Sequence, residues 1–193
     1  MKKLKIVLAS KSPRRKELLG NIVAEFEIRT KEIEEIYPPE LDASLVPEYL
    51  AKLKASAFTE TMADDELIIT SDTVVTMNDE IYGKPKDRED AIRILSELSG
   101  KSHDVITGVC LRLKDKGIVF SETTRIHFKA LSLEEIEYYI DNYQPYDKAG
   151  AYAIQEWIGM IGIERMEGDY FNVVGLPLFR LNQELKLLGF GTL

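Results

Sequence analysis

Leu4-Lys5-Ile6-Val7-Leu8-Ala9-Ser10-Lys11-Ser12-Pro13-Arg14-Arg15-Lys16-Glu17-Leu18-Leu19 reads as a buried strand, a tight polar turn and the start of a helix. Ile6 to Ala9 is apolar without alternation, the pattern of a strand covered on both faces. Ser10 and Ser12 bring hydroxyls and backbone N–H groups. Pro13, with no N–H to lose, fits the first turn of a helix. α/β proteins hold phosphates at such junctions, because a helix N-terminus presents unpaired N–H groups and partial positive charge. Arg14, Arg15 and Lys16 follow the turn at once. They oppose the helix dipole there, since cations suit the C-terminal end; the anion reading is favoured because they follow the turn immediately, and a solvated basic face is the alternative.

The rest of the composition narrows the ligand. The chain has 193 residues, 45% hydrophobic and 30% charged, with a net charge of −8. That length supports one sizeable core, with room for two lobes. An acidic chain is a poor general binder of nucleic acid, so local cations point to a small anion instead. The single cysteine, Cys110, lies in an apolar run and reads as a core residue; one cysteine forms no internal disulfide, which fits a reducing compartment. Two histidines, His103 and His127, make a His-based zinc site improbable. No signal core and no stretch near 18 apolar residues is present, so the expectation is a cytoplasmic protein without membrane contact.

Hydrophobic periodicity gives an α/β order with a mixed sheet. A helix is expected over Arg14 to Asn21 and a strand over Phe26 to Thr30. A loop follows, closed by Pro38-Pro39, and then a helix from about Pro47 to Thr61 with Ser44 as its cap. Leu67 to Met77 reads as a strand, with a turn at Asn78-Asp79 into Ile81-Tyr82. Asp87 caps a helix over Arg88 to Leu98. His103–Leu113 and Ile118–Lys129 form an antiparallel hairpin. Ser132-Leu133-Glu134-Glu135 is a capping box opening a helix to Asn142. A second hairpin is expected from Ile158–Arg165 and Tyr170–Val174, and a closing helix over Leu178 to Leu188. No repeat or linker divides the chain, so residues 1–193 read as one domain.

Chemistry concentrates in a few places. Asp72 interrupts the β-branched run Ile68-Ile69-Thr70-Ser71-Asp72-Thr73-Val74-Val75, and a carboxylate there must be paired, metal-bound or at a solvent-facing edge. Glu34-Glu35 lies in a loop that could fold over a site. Lys54 and Lys84 are cations on a helix and in a loop, where a single lysine is normally a surface residue. Asp147-Lys148-Ala149-Gly150-Ala151-Tyr152-Ala153-Ile154-Gln155 has small residues that allow close backbone approach, and Gln155 offers a donor and an acceptor to a base edge. Carboxylates with cations suggest Mg²⁺-assisted phosphate chemistry. Neither a Walker-type loop nor Gly-x-Gly-x-x-Gly is present.

Ser10-Lys11-Ser12-Pro13-Arg14-Arg15, Glu35 before the prolines, Ser71-Asp72-Thr73, Gly83-Lys84-Pro85, Ser99-Gly100-Lys101-Ser102-His103, Asp147 to Tyr152 and Val174-Gly175-Leu176-Pro177-Leu178 together resemble the Maf family of nucleoside triphosphate pyrophosphatases. The resemblance runs in order over essentially the whole chain, with Lys11 as one departure where small residues are common. It implies an elongated mixed sheet flanked by helices, with two lobes around a cleft, like the inosine-triphosphate pyrophosphatase superfamily. It implies hydrolysis of a nucleoside triphosphate to the monophosphate and pyrophosphate with a divalent cation, Mg²⁺ favoured and Mn²⁺ or Co²⁺ as alternatives. Asp72 would be the proton acceptor and Glu35 a metal ligand or water positioner, with both carboxylates on the metal. Ser10, Arg14, Arg15, Lys54 and Lys84 match substrate- and phosphate-facing positions. Arg14, Thr73 and Gln155 resemble the dTTP/UTP type; the 7-methyl-GTP type usually has Gln after the Asp. A homodimer is a family expectation. The rival readings are a purine- or 7-methyl-GTP-selective pyrophosphatase, and a regulatory binding module in septum formation or cell-division arrest.

Overall fold

A computed structural model describes residues 4–190. Its frame is a seven-stranded mixed sheet in the order β2-β1-β3-β5-β6-β7, with β4 paired to β3. The strands are β1 (Lys5–Leu8), β2 (Glu27–Ile28), β3 (Glu66–Met77), β4 (Glu80–Tyr82), β5 (Ser102–Arg112), β6 (Gly117–Phe128) and β7 (Ile163–Glu167). The helices are α1 (Pro13–Gly20), α2 (Val46–Ser56), α3 (Arg88–Leu98), α4 (Leu133–Tyr143), α5 (Trp157–Gly162), α6 (Tyr170–Val174) and α7 (Leu178–Leu187). β1 runs parallel to β2 and β3, and the remaining ladders are antiparallel.

The opening strand, turn and helix form as expected. Ile6, Val7 and Leu8 are buried, and Ser12 caps α1 by accepting the Arg15 N–H, with Pro13 in the first turn. Asp87 caps α3 and Ser132 makes the capping box of α4. Cys110 is buried and unbridged, and burial pushes its thiol up to about 11. Among the described residues no helix is long and apolar enough to cross a membrane.

β3 is the spine. Its first half pairs with β1 and its last residues with β4, while β5 runs along almost its whole length. Leu67 and Ile69 enter one hydrophobic core with α1 and α7; Val75 and Met77 enter another with α3 and α4. Between these halves lie Thr70, Ser71, Asp72 and Thr73, so the apolar strand turns polar where the two cores part. On the opposite face α2 crosses β3 and β5. Gly108, the register partner of Asp72, allows this approach: a Cβ there would fall 2.3–2.5 Å from backbone atoms of Pro47 and Glu48.

Three expectations are corrected. Ser44 does not cap α2: the cap position is Leu45 without a side-chain bond, and Ser44 instead binds Asp42 Oδ1 through its N–H and hydroxyl. The helix also stops at Ser56, with turns carrying the chain to Thr61. The second hairpin is replaced by α5, β7 and α6, and β7 pairs with β6. Short apolar runs do not distinguish strand from helix by periodicity. Gly159 in α5 packs where a Cβ would fall 1.9 Å from the Ile154 carbonyl oxygen, and Asp169 caps α6 by accepting the Phe171 N–H at 2.8 Å.

Candidate active site

The polar middle of β3 floors a cleft of about 810 Å³ between the two cores. Ser10, Arg14, Arg15, Glu35, Lys54, Asp72, Thr73, Lys84 and Gln155, all singled out in the sequence, line this one cleft. Neighbouring residues of a strand project to opposite faces, so Asp72 and Thr73 meet different elements.

Asp72 meets α2. Lys54 donates to Asp72 Oδ1 and lies 3.0 Å from Glu35 Oε1. The Lys54 and Asp72 side chains retain only 17% and 11% of their exposure, so each charge depends on the other. Glu35 reaches in from the loop before Pro38. Burial pushes its carboxyl up, but Lys54, Lys84 and Arg15 outweigh this and hold it below the usual range. The result is a carboxylate–ammonium–carboxylate cluster. Thr70 supports it by donating to the Ala51 carbonyl of α2 at 2.6 Å.

Ser71 and Thr73 meet α1. Arg15 Nε donates to the Gly175 carbonyl at 2.9 Å, Nη1 to the Ser71 carbonyl at 2.9 Å, and Nη2 to Thr73 Oγ1 at 3.0 Å. Thr73 Oγ1 also lies 2.9 Å from Thr107 Oγ1. Three of the five guanidinium N–H groups are therefore engaged by the protein. Burial lowers the Arg15 pKa, with the Asp72 and Glu35 charges acting the other way. Above it, Ser12 N–H donates to Ser10 Oγ at 3.2 Å, shaping the turn at the α1 N-terminus.

Arg14 is freer, with one ion pair to Asp147 Oδ2 at 3.7 Å. Lys84 and Gln155 are exposed at the cleft. Lys148, which sequence reasoning quoted only as part of a small-residue run, proves to be a buried ammonium lining the cleft. Gly150 carries it there: φ is +68° and a Cβ would lie 2.8 Å from Val75 Cγ2, so the 149–151 turn sits directly on β3. Among the described residues no group of three or more His, Cys, Asp or Glu could hold a metal.

A mixed α/β sheet flooring a cleft with a helix N-terminus, converging cations and a paired carboxylate cluster defines a site for a phosphorylated ligand. The chain belongs to the Maf family: the family described as Maf-like protein matches residues 5–188. A dTTP/UTP pyrophosphatase of Parabacteroides distasonis is 52% identical over 187 residues, covering 96% of this chain and 97% of that protein. A dTTP/UTP pyrophosphatase of Flavobacterium psychrophilum is 53% identical over 173 residues, covering 90% of this chain and 89% of that one. The Ham1 protein of Staphylococcus aureus superposes with a TM-score of 0.52 at 16% identity, over 95% of this chain and 99% of that chain, a likeness of fold.

Proposed function

We propose that the protein hydrolyses dTTP and UTP, and modified pyrimidine triphosphates of similar shape, to the monophosphate and pyrophosphate, clearing such nucleotides in the cytoplasm. The observation that carries this reading is the Asp72–Lys54–Glu35 cluster beside the α1 N-terminus in one cleft. The similarity to dTTP/UTP pyrophosphatases supports the substrate class.

Asp72 accepts a proton from a water attacking phosphorus in line with departing pyrophosphate. Arg14, Lys54 and Lys84 stabilise the charge spread over the phosphate oxygens, while Arg15 and Ser10 hold the strand and turn that shape the phosphate end. Gln155 reads the base edge, with Thr73 and Arg14 at the pocket wall. Glu35 and Asp72 suit a divalent cation: their carboxylates already converge on one cation, the Lys54 ammonium, and offer the hard oxygen ligands that Mg²⁺, Mn²⁺ or Co²⁺ accept beside substrate phosphates. When bound, such an ion polarises phosphoryl oxygens and acidifies water. A homodimer completes the reading, and sedimentation equilibrium checks it.

The deciding test is pyrophosphate release from a panel of nucleoside triphosphates, with Mg²⁺ and with chelator, beside Asp72→Asn. Metal-dependent release strongest for dTTP and UTP, and lost in the variant, is expected. Release strongest for a purine or 7-methyl-GTP overturns the specificity. No release from any nucleotide overturns the enzymatic reading in favour of a binding module.

A further inference from the structure

A chain of polar groups, buried at its Tyr139 end and opening to solvent at Asp147, runs beside the cleft. Tyr139, buried on α4, donates its hydroxyl hydrogen to Glu156 Oε2 and accepts the Ala153 N–H at 3.1 Å. Glu156 Oε1 lies 3.3 Å from Lys148 Nζ, which also donates to Asp147 Oδ1 at 2.9 Å. Asp147 Oδ2 lies 3.7 Å from Arg14 Nη1. Tyr139 is 0% exposed, and Lys148 and Ala153 are each 7% exposed. Burial and the hydrogen bond to Glu156 push the Tyr139 hydroxyl above its ordinary value. Two links act directly on the segment that carries Gln155. Ala153 is fixed through its backbone two residues before it, and Glu156 is held one residue after it.

We propose that Tyr139, Glu156 and Lys148 are positioning residues for nucleobase specificity, holding residues 153–155 in one rigid arrangement around the base. This rests on the reading of Gln155 as the base contact. Buried networks of this kind specify one geometry because breaking any link leaves a desolvated polar group unpaired. Here removing the Tyr139 hydroxyl would leave the Ala153 N–H unpaired and take one donor from Glu156, while Lys148 keeps its bond to Asp147. The specificity of the pocket is thereby set by side chains that need not touch the nucleotide, which explains why an exposed residue such as Gln155 can discriminate at all.

Tyr139→Phe keeps the ring and removes the hydroxyl. Its kcat/KM ratio for dTTP over dGTP is expected to fall about tenfold, a change equivalent to one lost hydrogen bond, and to do so through KM for dTTP. Inhibition by pyrophosphate, which has no base, is expected to stay as in the wild type. Glu156→Gln keeps an acceptor for Tyr139 but removes the charge opposite Lys148, so a smaller fall in the same ratio is expected; it also serves if Tyr139→Phe does not fold. An unchanged ratio in the folded variants, whatever their Tm, overturns the proposal, as does a matched loss of pyrophosphate and nucleotide affinity. Amide hydrogen exchange over residues 153–155 reads the network without any substrate. Faster exchange in Tyr139→Phe supports it and unchanged exchange overturns it. A wild-type protein inactive on every nucleotide refutes the proposed function separately.

Discussion

Gly108→Ala tests whether the distance between α2 and the sheet sets the active site. The new Cβ would stand 2.3 Å from the Pro47 carbonyl carbon, 2.4 Å from its oxygen and 2.5 Å from the Glu48 nitrogen. All three are backbone atoms, so no side chain can swing aside. Restoring ordinary contact, which begins at 3.4 Å, requires the first turn of α2 to lift by about 1 Å. Overpacking of this kind costs about 1–3 kcal/mol. For a chain of this size that lowers Tm by roughly 2–12 °C. The helix also carries Lys54, and Gly108 sits directly across the ladder from Asp72, so the shift falls on the Lys54–Asp72 pair. A displacement of that size in a catalytic constellation costs up to ~100-fold in rate. The assays are thermal unfolding and pyrophosphate release. Gly117→Ala is the control, because its Cβ would meet only Leu111 O at 3.5 Å and Arg112 Cδ at 3.7 Å. If Gly108→Ala melts and turns over like the control, the helix is not held at the distance the reasoning requires.

Gln155→Ala should relax base preference more than it weakens phosphate binding, and a proportional loss across all nucleotides in a kcat/KM panel would contradict this. Lys54→Met leaves Asp72 and Glu35 facing each other without their shared cation, so it should lower Tm and turnover together, measured by calorimetry and pyrophosphate release. His103 is held down to about 4 by burial, against an ordinary 6.5. Its unfolded form binds the proton more readily, so it contributes stability above pH 6.5 that is lost as pH falls toward 4, by about 3 kcal/mol at most. A stability profile of His103→Gln over that range should be flatter than the wild type. The Cys110 thiol, buried and raised to about 11, should resist a disulfide reagent in the native protein and react fully in denaturant.

The strand–turn–helix at the start of the chain was legible because each signal is local. An unalternating apolar run, a Ser cap and a proline at the first helical turn all act within a few residues. The capping box at Ser132 and the Asp87 cap were readable for the same reason. The helices α5 and α6 were not, because their apolar runs are too short to show a period and their stability comes from tertiary contacts, such as Ile158 in the core and Asn172 Nδ2 donating to the Val105 carbonyl at 3.0 Å. Gly108 was invisible too: it lies in a strand pattern, and only the crossing of α2 makes its missing side chain matter. Arg14 and Asp72 stand out as charges in unusual places, which is a sequence property, whereas Glu35, Lys54 and Lys84 read as ordinary surface charges and were singled out by the family resemblance. That Lys148, Glu156 and Tyr139 join them depends on a turn, a helix and a loop meeting, which no spacing encodes.

The polar stretch of β3 explains why one strand can serve both fold and chemistry. Thr70 fastens α2 through the Ala51 carbonyl, Ser71 bonds the Gly175 carbonyl at 3.2 Å, Asp72 holds Lys54, and Thr73 joins Thr107 of β5 and Arg15 of α1. Thr70 and Asp72 thus tie α2 to one face of the spine, while Ser71 and Thr73 tie the Gly175 turn, β5 and α1 on the other, which braces the cleft floor where apolar packing is interrupted. The two roles should separate by residue. Thr70→Val keeps the shape and removes the side-chain bond to the Ala51 carbonyl, which keeps its partner within α2, costing about 0.5–1.5 kcal/mol. Because it sits on the same face as Asp72 but touches no charge, its loss should appear in Tm with the pH dependence of turnover unchanged. Asp72→Asn should abolish turnover and, by breaking the pair with Lys54, lower Tm, while the protein still unfolds cooperatively. If Thr70→Val shifted the pH profile, or Asp72→Asn kept its rate, the division of labour along this strand would be wrong.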